Sequence, residues 1–434
     1  MNINDEIQNL IDNINKEFKV PTYVYNNYDK FIPGVTPIYY SGPFFDDKEL
    51  IEGIKSLLVG KWMSAGEKVK EFEHAFSRKI NQHFSVMVNS GSSANLIAIA
   101  SMKHHFGWED GSEIIISVVG FPTTYAPMIQ NNLILKFVDI EMDTLNFDVD
   151  LIESKISNKT KAIVLSPVLG NVPDLDRILE ICKQYNLELF LDNCDSLGTT
   201  WNGKQLPEYA RISTASFYAS HHITTYEGGM VSSNTRDIMH IARSLTNWGK
   251  GCICSGVENL LPNGICNHRF DYWLPEYDGL VDHRYTFFYP GYNLKPLEFS
   301  GAVGLVQLEK LPNIIAKRKY NKKRISDIFL KYIPNIKIPK SYPEADVSWF
   351  GTPFICESKE QKNKLVSYLE GLKVQTRRYF SGNLLLHEGY KNLGNFRDYP
   401  VANRVLDEVF FIGCSPHYTE DHFNYFEDIL SDYK

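Results

Sequence analysis

No segment of this chain is apolar over the roughly 20 residues that a membrane span requires. The opening stretch, MNINDEIQNLIDNINKEF, has none of the basic-then-apolar order of a secretory leader. Both absences set the expectation of a cytoplasmic protein without membrane association. An excess of basic charge is missing as well: 45 Lys and Arg stand against 52 Asp and Glu, for a net charge of −7. That balance leaves no electrostatic footprint for nucleic acid or an anionic lipid surface, so an anionic ligand has to be met by a local set of donors. Internal repeats and low-complexity tracts are absent too. Cysteine is sparse, seven in 434 residues. In a reducing compartment such thiols serve as core residues, metal ligands or redox groups rather than as disulfides.

What the chain does have is a core-forming composition, 43% hydrophobic, and an alternation of short apolar runs with helical patterns. FSVMVNS (84–90), SEIIISVVG (112–120), LILKFVDI (133–140), TKAIVLSPVLG (160–170), LELFLDN (187–193) and STASFYAS (213–220) read as strands. Helical stretches such as LDRILEICKQYN separate them. This spacing predicts an α/β fold of right-handed βαβ units around a large, mostly parallel sheet. Residues 1–40 read as an amphipathic helix and a Tyr/Pro-rich arm, residues 41–310 as the large domain, and residues 311–434 as a smaller C-terminal α/β domain. Residues 245–290, rich in Gly, Asn, Trp, Cys and Tyr, interrupt the large domain as an irregular insertion, of a length that is usually functional.

Ligands in parallel sheets bind at the carboxyl ends of the strands, and three such ends carry suggestive residues. After the first strand, Asn89-Ser90-Gly91-Ser92-Ser93-Ala94 joins a glycine turn to a helix start. Free backbone N–H groups and hydroxyls converge in such a place, which suits a phosphate, although an ordinary capped helix has the same look. Ser216 adds a hydroxyl if the strand ends line up. Asp192 ends the strand LELFLDN, where a carboxylate can keep a pyridine nitrogen protonated or simply cap a turn. Asp195 belongs to the same candidate set. Phe121 follows another strand and is placed either to stack on a ring or to fill core.

Taken in order, SGSSAN, GFPTT, LDNCDSLG, SFYASHHITTYEGG, NWGK and GYNLK resemble the sugar aminotransferase branch of the pyridoxal phosphate (PLP) fold type I superfamily, from about residue 35 to the end. The resemblance implies that Asp192 pairs with the pyridine nitrogen and that Phe121 stacks on the ring. It also implies that Gly91, Ser92, Ser93 and Ser216 hold the phosphate, with Asn247 reaching in from the second subunit of a homodimer. His221 falls where that superfamily carries the lysine that binds PLP covalently. The His-His-Ile-Thr run resembles a small subgroup, the sugar nucleotide 3-dehydratases. Without the lysine, the cofactor works as non-covalent pyridoxamine phosphate (PMP), and imidazole, which titrates near neutrality, serves as the base. The expected outcome is loss of the C3 hydroxyl from a nucleotide-linked 4-keto-6-deoxyhexose. His222 has no separate assignment, and Tyr226 replaces the glycine usual before Glu-Gly-Gly.

Cys194, Cys252, Cys254 and Cys266 have the spacing C-x57-C-x-C-x11-C, which suits zinc or an iron–sulfur cluster. The set resembles the branch of the subgroup that acts on a CDP-linked sugar and carries a 2Fe-2S cluster, although the last gap is longer here. The resemblance implies electrons from a flavin- and iron–sulfur-containing, NADH-dependent reductase. Cys182, Cys356 and Cys414 read as structural. Lys295, Arg377 and Arg378 are candidate diphosphate binders, and Ser64 and Gly66 resemble a sugar-proximal loop. Two other readings stay open: a cluster-free dehydratase of a GDP-linked sugar that regenerates PMP from glutamate, and a non-catalytic binding or metal-sensing relative.

Overall fold

The structure, a computed structural model, describes residues 2–18, 31–252, 269–271 and 274–433. Its thirteen strands are β1 Phe84–Val88, β2 Glu113–Ser117, β3 Ile134–Val138, β4 Thr160–Leu165, β5 Glu188–Asp192, β6 Thr200–Trp201, β7 Lys204–Gln205, β8 Ile212–Ser216, β9 Gly229–Ser233, β10 Ala345–Asp346, β11 Gly351–Ile355, β12 Thr376–Arg378 and β13 Val409–Gly413. Seven of them form one sheet in the order β1-β9-β8-β5-β4-β2-β3. The pairs among β3, β2, β4, β5 and β8 are parallel. β9 pairs antiparallel with both β8 and β1, so it alone runs against the rest.

The apolar runs explain why these segments are strands. EIIIS and TKAIVL are buried along nearly their whole length, as strands covered on both faces must be. On one face lies the helix Gly91–Phe106, whose Ala94, Ile97, Ala98, Ile99 and Met102 are all buried. The helix Leu175–Tyr185 packs Leu175, Ile178, Ile181 and Cys182 into a separate core with Ile163, Leu189 and Leu191. Alternate strand residues thus feed two cores, one on each side of the sheet.

One expected strand ends early. STASFYAS leaves the sheet after Ser216, and residues 217–228 form an irregular connection back to β9. An antiparallel return needs no helical crossover, so this connection is free to carry something other than scaffold. It carries His221.

The long helix Glu298–Tyr332 joins two cores. Its Leu308, Leu311 and Ile314 pack with Phe72, Phe76, Phe217 and Ile223 beside the large sheet. Its Ile325, Ile328 and Phe329 pack with Phe354, Phe410 and Phe426 beside the small antiparallel sheet β11-β13-β12. The division expected at 310/311 therefore falls inside this helix.

The chain begins with the helix Ile3–Phe18, in the place expected for an amphipathic helix. Residues 19–30 of the expected arm lie outside the described residues. The arm's last part is strapped across the small sheet: Ile38 bridges Val374 in parallel, and His417 Nε2 lies 2.9 Å from the Pro43 carbonyl. Ser41 Oγ then donates to the Ser220 carbonyl at 2.5 Å, on the His221 connection.

Candidate active site

The carboxyl edge of the large sheet opens into a cleft of about 860 Å³. One end is built by the N-terminus of the helix Gly91–Phe106. Ser90 caps it, its Oγ accepting from the Ser93 N–H at 3.1 Å. The N–H groups of Gly91 and Ser92, in the first turn, have no partner within the helix. A Cβ on Gly91 would collide with the Ser216 side chain, so only glycine lets helix and strand end close into one cup. Ser92 is exposed in the cleft wall and Ser216 lines it from β8. This cup has the donors and the positive helix end that a phosphate needs. Ser93 differs from expectation: its hydroxyl accepts from Ser90 Oγ at 3.0 Å as part of the cap, and it does not line the cleft.

Asp192, at the end of β5, is buried beside this helix. Its Oδ2 accepts from Asn95 Nδ2 at 2.9 Å and Thr124 Oγ1 at 2.8 Å. Its Oδ1 accepts the backbone N–H of Cys194 at 3.3 Å, and a carboxylate oxygen has capacity for a further donor in the cleft. Thr214 Oγ1 donates to Asn95 Oδ1 at 2.6 Å and so orients the amide. Phe121 is 53% exposed and lines the cleft, its ring nearly perpendicular to that of Phe380 at 6.0 Å between centroids.

His221 and Asp195 share the opposite wall, with Nδ1 and Oδ1 3.6 Å apart. The contact is not an ion pair. Burial, reinforced by the charge of Arg318, holds the His221 imidazole down to about 4. Burial, reinforced by Asp192, pushes the Asp195 carboxyl up to about 7. Both groups thus move toward neutrality near physiological pH, and a neutral imidazole is the form that accepts a proton. His221 Nδ1 is buried and has no hydrogen-bond partner. His222 points away from the cleft, with Nε2 3.2 Å from the Ser348 carbonyl, and burial pulls it well below the ordinary histidine range. Among the described residues no lysine lines the cleft.

This donor set fits a pyridoxal or pyridoxamine phosphate. The glycine cup takes the phosphate, Asp192 Oδ1 has room for a pyridinium N–H, Phe121 lines the cleft as an aromatic ring, and the His221 imidazole stands at the far wall. Arg377 and Arg378 line the rim, the Arg377 guanidinium resting 4.2 Å over the Tyr40 ring.

Four expected residues lie off this cleft. Ser64 Oγ donates to the Pro296 carbonyl at 3.1 Å, the Gly66 N–H donates to Glu298 at 2.8 Å, and Lys295 Nζ donates to Asn247 Oδ1 at 3.3 Å. Burial, with Lys250 nearby, lowers Lys295 to about 8, and its Nζ sits 3.3 Å over Trp248. Their surroundings are apolar and exposed: Met63 is 81% accessible and Leu297 61%.

Of the four expected metal ligands, Cys194 lines the cleft and Cys252 is half-buried next to Gly251. Cys254 and Cys266 lie outside the described residues. Among the described residues no group of three or more metal-ligating side chains gathers. Burial and Asp192 push the Cys194 thiol well up from its ordinary value.

Sequence reasoning missed Asn95, Thr124 and Arg318. The first two stand inside motifs already singled out, SGSSAN and GFPTT, and Asn95 is one helical turn from Gly91, on the face that meets the strand ends. Arg318 sits in a basic helical run that reads as solvated surface.

Comparison with known proteins agrees with this arrangement. Residues 45–430 match the DegT/DnrJ/EryC1/StrS aminotransferase family. The chain is 34% identical over 416 residues to a dTDP-4-dehydro-2,6-dideoxy-D-glucose 3-dehydratase of Saccharopolyspora spinosa, covering 93% of this chain and 88% of that one. It is 34% identical over 409 residues to the lipopolysaccharide biosynthesis protein RfbH of Salmonella typhimurium, covering 91% of each. Its fold matches the E. coli GDP-4-keto-6-deoxy-D-mannose-3-dehydratase with bound hydrated PLP at a TM-score of 0.79, with 31% identity, covering 91% of this chain and 99% of that one. The chain belongs to the DegT/DnrJ/EryC1/StrS aminotransferase family.

The Asp192 network gives a test. Asn95→Ala removes one of two donors to Oδ2 and the link to Thr214. It should weaken PMP binding about tenfold, the effect of a charge-assisted hydrogen bond of about 1.5 kcal/mol, with the fold retained. Titration of PMP followed by absorbance, alongside circular dichroism, reads both. Unchanged affinity would mean that the Asn95 bond does not tune the carboxylate.

Proposed function

We propose that this protein is a PMP-dependent 3-dehydratase acting on a nucleotide-linked 4-keto-6-deoxyhexose, in the making of a 3,6-dideoxysugar of a surface polysaccharide. The observation that carries the reading is the neutral, buried imidazole of His221 on the wall of a cleft that no lysine among the described residues lines. The relatedness to 3-dehydratases at 34% and 31% identity supports it.

The bound PMP would supply an amine that condenses with the sugar's 4-keto carbon and a ring that withdraws electrons, so that the C3 hydroxyl can leave. The chain's residues do the rest. The glycine cup and Ser216 hold the phosphate. Asp192, oriented by Asn95, Thr124 and the Cys194 N–H, would accept from the pyridine nitrogen and so hold a proton there. Phe121 fixes the ring plane. His221 takes the proton from the cofactor's C4′ carbon; Asp195 stands next to the imidazole to steady it once charged. Arg377 and Arg378 take the diphosphate at the rim. A lysine at position 221 would instead anchor the cofactor covalently and favour amino transfer.

The finer reading is a CDP-linked substrate and a 2Fe-2S cluster on Cys194, Cys252, Cys254 and Cys266, fed by a flavin- and iron–sulfur-containing, NADH-dependent reductase. The four-cysteine spacing and the place of Cys194, two residues from Asp192, support it. The similarity to GDP-4-keto-6-deoxy-D-mannose 3-dehydratases favours a second reading without a cluster, in which glutamate returns the amine. No described helix is long and apolar enough to cross a membrane, which accords with a soluble sugar nucleotide as substrate. The exposed apolar surface around Ser64, Lys295 and Asn247 supports a homodimer, in which those residues complete the partner's cleft.

Three measurements test these proposals. His221→Asn should lower turnover by at least about a hundredfold, the lower range for losing a general base, while PMP still binds; near-normal turnover removes His221 as the base. Anaerobically purified protein should contain iron and show a reduced-state EPR signal that Cys254→Ala abolishes. In that variant solvent hydrogen should still exchange at C4′ while release of the 3-deoxy product stops. Zinc without iron, or normal product release by Cys254→Ala, favours the glutamate route. Finally, mixing inactive Asn247→Ala and Asp192→Ala dimers should restore up to about a quarter of wild-type activity, since half of the exchanged dimers carry one intact site. No recovery after proven exchange excludes a shared site.

A further inference from the structure

The loop that carries His221 has little regular structure to hold it. Its far half is tied by Thr224 and Thr225, whose hydroxyls donate to the Phe217 and Glu227 carbonyls at 2.9 and 2.8 Å, and by the Phe217 N–H, which donates to the Gly228 carbonyl at 2.8 Å; around His221 itself, the backbone N–H donates to the Tyr218 carbonyl at 3.0 Å. The Ser220 and His221 carbonyls point the other way, into the protein, and meet a buried cation. Arg318, midway along the helix Glu298–Tyr332, is 1% exposed. Its Nη2 donates to the carbonyls of Ser220 at 3.5 Å and His221 at 3.4 Å, and its Nη1 to the carbonyl of Phe350 at 2.9 Å. Its Nε has no hydrogen-bond partner, and its charge acts on the Asp195 carboxyl and the Cys414 thiol. A buried guanidinium is expensive to keep, and here three backbone carbonyls take its N–H groups.

Phe350 immediately precedes β11, and its ring centroid lies 5.3 Å from that of His221. Both side chains line the cleft. One planar fork therefore holds the imidazole's backbone and the aromatic wall it leans on. Lysine, with a single nitrogen, cannot span those carbonyls as a rigid guanidinium does.

We propose that Arg318 is the positioning residue for His221, fixing where the imidazole enters the cleft by clamping the Ser220, His221 and Phe350 carbonyls together. The inference rests on the reading of His221 as the base. It concerns placement and leaves the chemistry with the imidazole.

The test uses the full-length, PMP-loaded protein with Arg318→Lys, which keeps the charge, and Arg318→Met, which keeps most of the volume. Both should lose about a hundredfold in kcat, the cost of a displacement near 1 Å, with KM within about threefold and PMP affinity unchanged. Deuterium uptake, measured without substrate, should rise in peptides covering residues 217–225 and stay at wild-type level around Gly91 and Asp192. If Arg318→Met does not fold, Arg318→Lys decides. A Lys variant with wild-type kcat, or with unchanged uptake in the loop, overturns the clamp. So does an increase in uptake spread evenly through the chain, which would mark a general stabilising role. Because uptake is read without substrate, a loosened loop beside normal turnover in His221→Asn would fault the base assignment and leave the clamp standing.

Discussion

The buried carboxylate of Asp192 is the constraint from which the site is built. A charge at the end of a central strand cannot stay ionised without donors, and water is excluded there. Asn95 and Thr124 supply them from two helices, while Thr214 of β8 fixes the Asn95 amide. These bonds set the roll of the helix Gly91–Phe106 against the sheet. With Asn95 turned onto Asp192, Gly91, one turn back, has to face Ser216. The phosphate cup and the carboxylate are thus parts of one packing solution, and neither is free to move without the other.

Burial also decides the chemistry at the opposite wall. The same exclusion of water draws the proton off His221 and holds one on Asp195. Asp192 accepts from Asn95, Thr124 and the Cys194 N–H, whereas Asp195 accepts a 3.3 Å bond from the Leu169 N–H. Two carboxylates three residues apart thus sit in different surroundings, one among side-chain donors and one beside the His221 imidazole.

How much of this could be read from the chain depends on where each property resides. The parallel strands were legible because burial on both faces leaves an uninterrupted apolar run. The end of β8 was not, since SFYAS is as apolar beyond Ser216 as before it, and only tertiary pairing with β9 stops the strand. Gly91, Ser92, Phe121, Asp192 and His221 gather in the cleft from motifs visible in the sequence. Ser93 reads like its neighbour, but helical phase turns it into the cap. Ser64, Gly66, Asn247 and Lys295 sit off the cleft, beside exposed apolar side chains such as Met63 and Leu297. Arg318 was hidden because a buried cation among surface lysines and arginines has no local signature. Its importance comes from carbonyls that are distant in sequence.

The strap formed by residues 31–46 has a consequence for the order of events at the ribosome. Ile38, Tyr39 and Pro43 are held by Val374, Tyr418 and His417, more than 330 residues further along the chain. The strap must therefore wait undocked until those residues have emerged, and a contact of such separation closes slowly. Ser41, which secures the Ser220 carbonyl, arrives with that strap. The large sheet can assemble well before this happens. A nascent or truncated chain would thus own a folded cofactor cup while its histidine loop still lacked one of its anchors, so that capacity to bind is acquired before capacity to react.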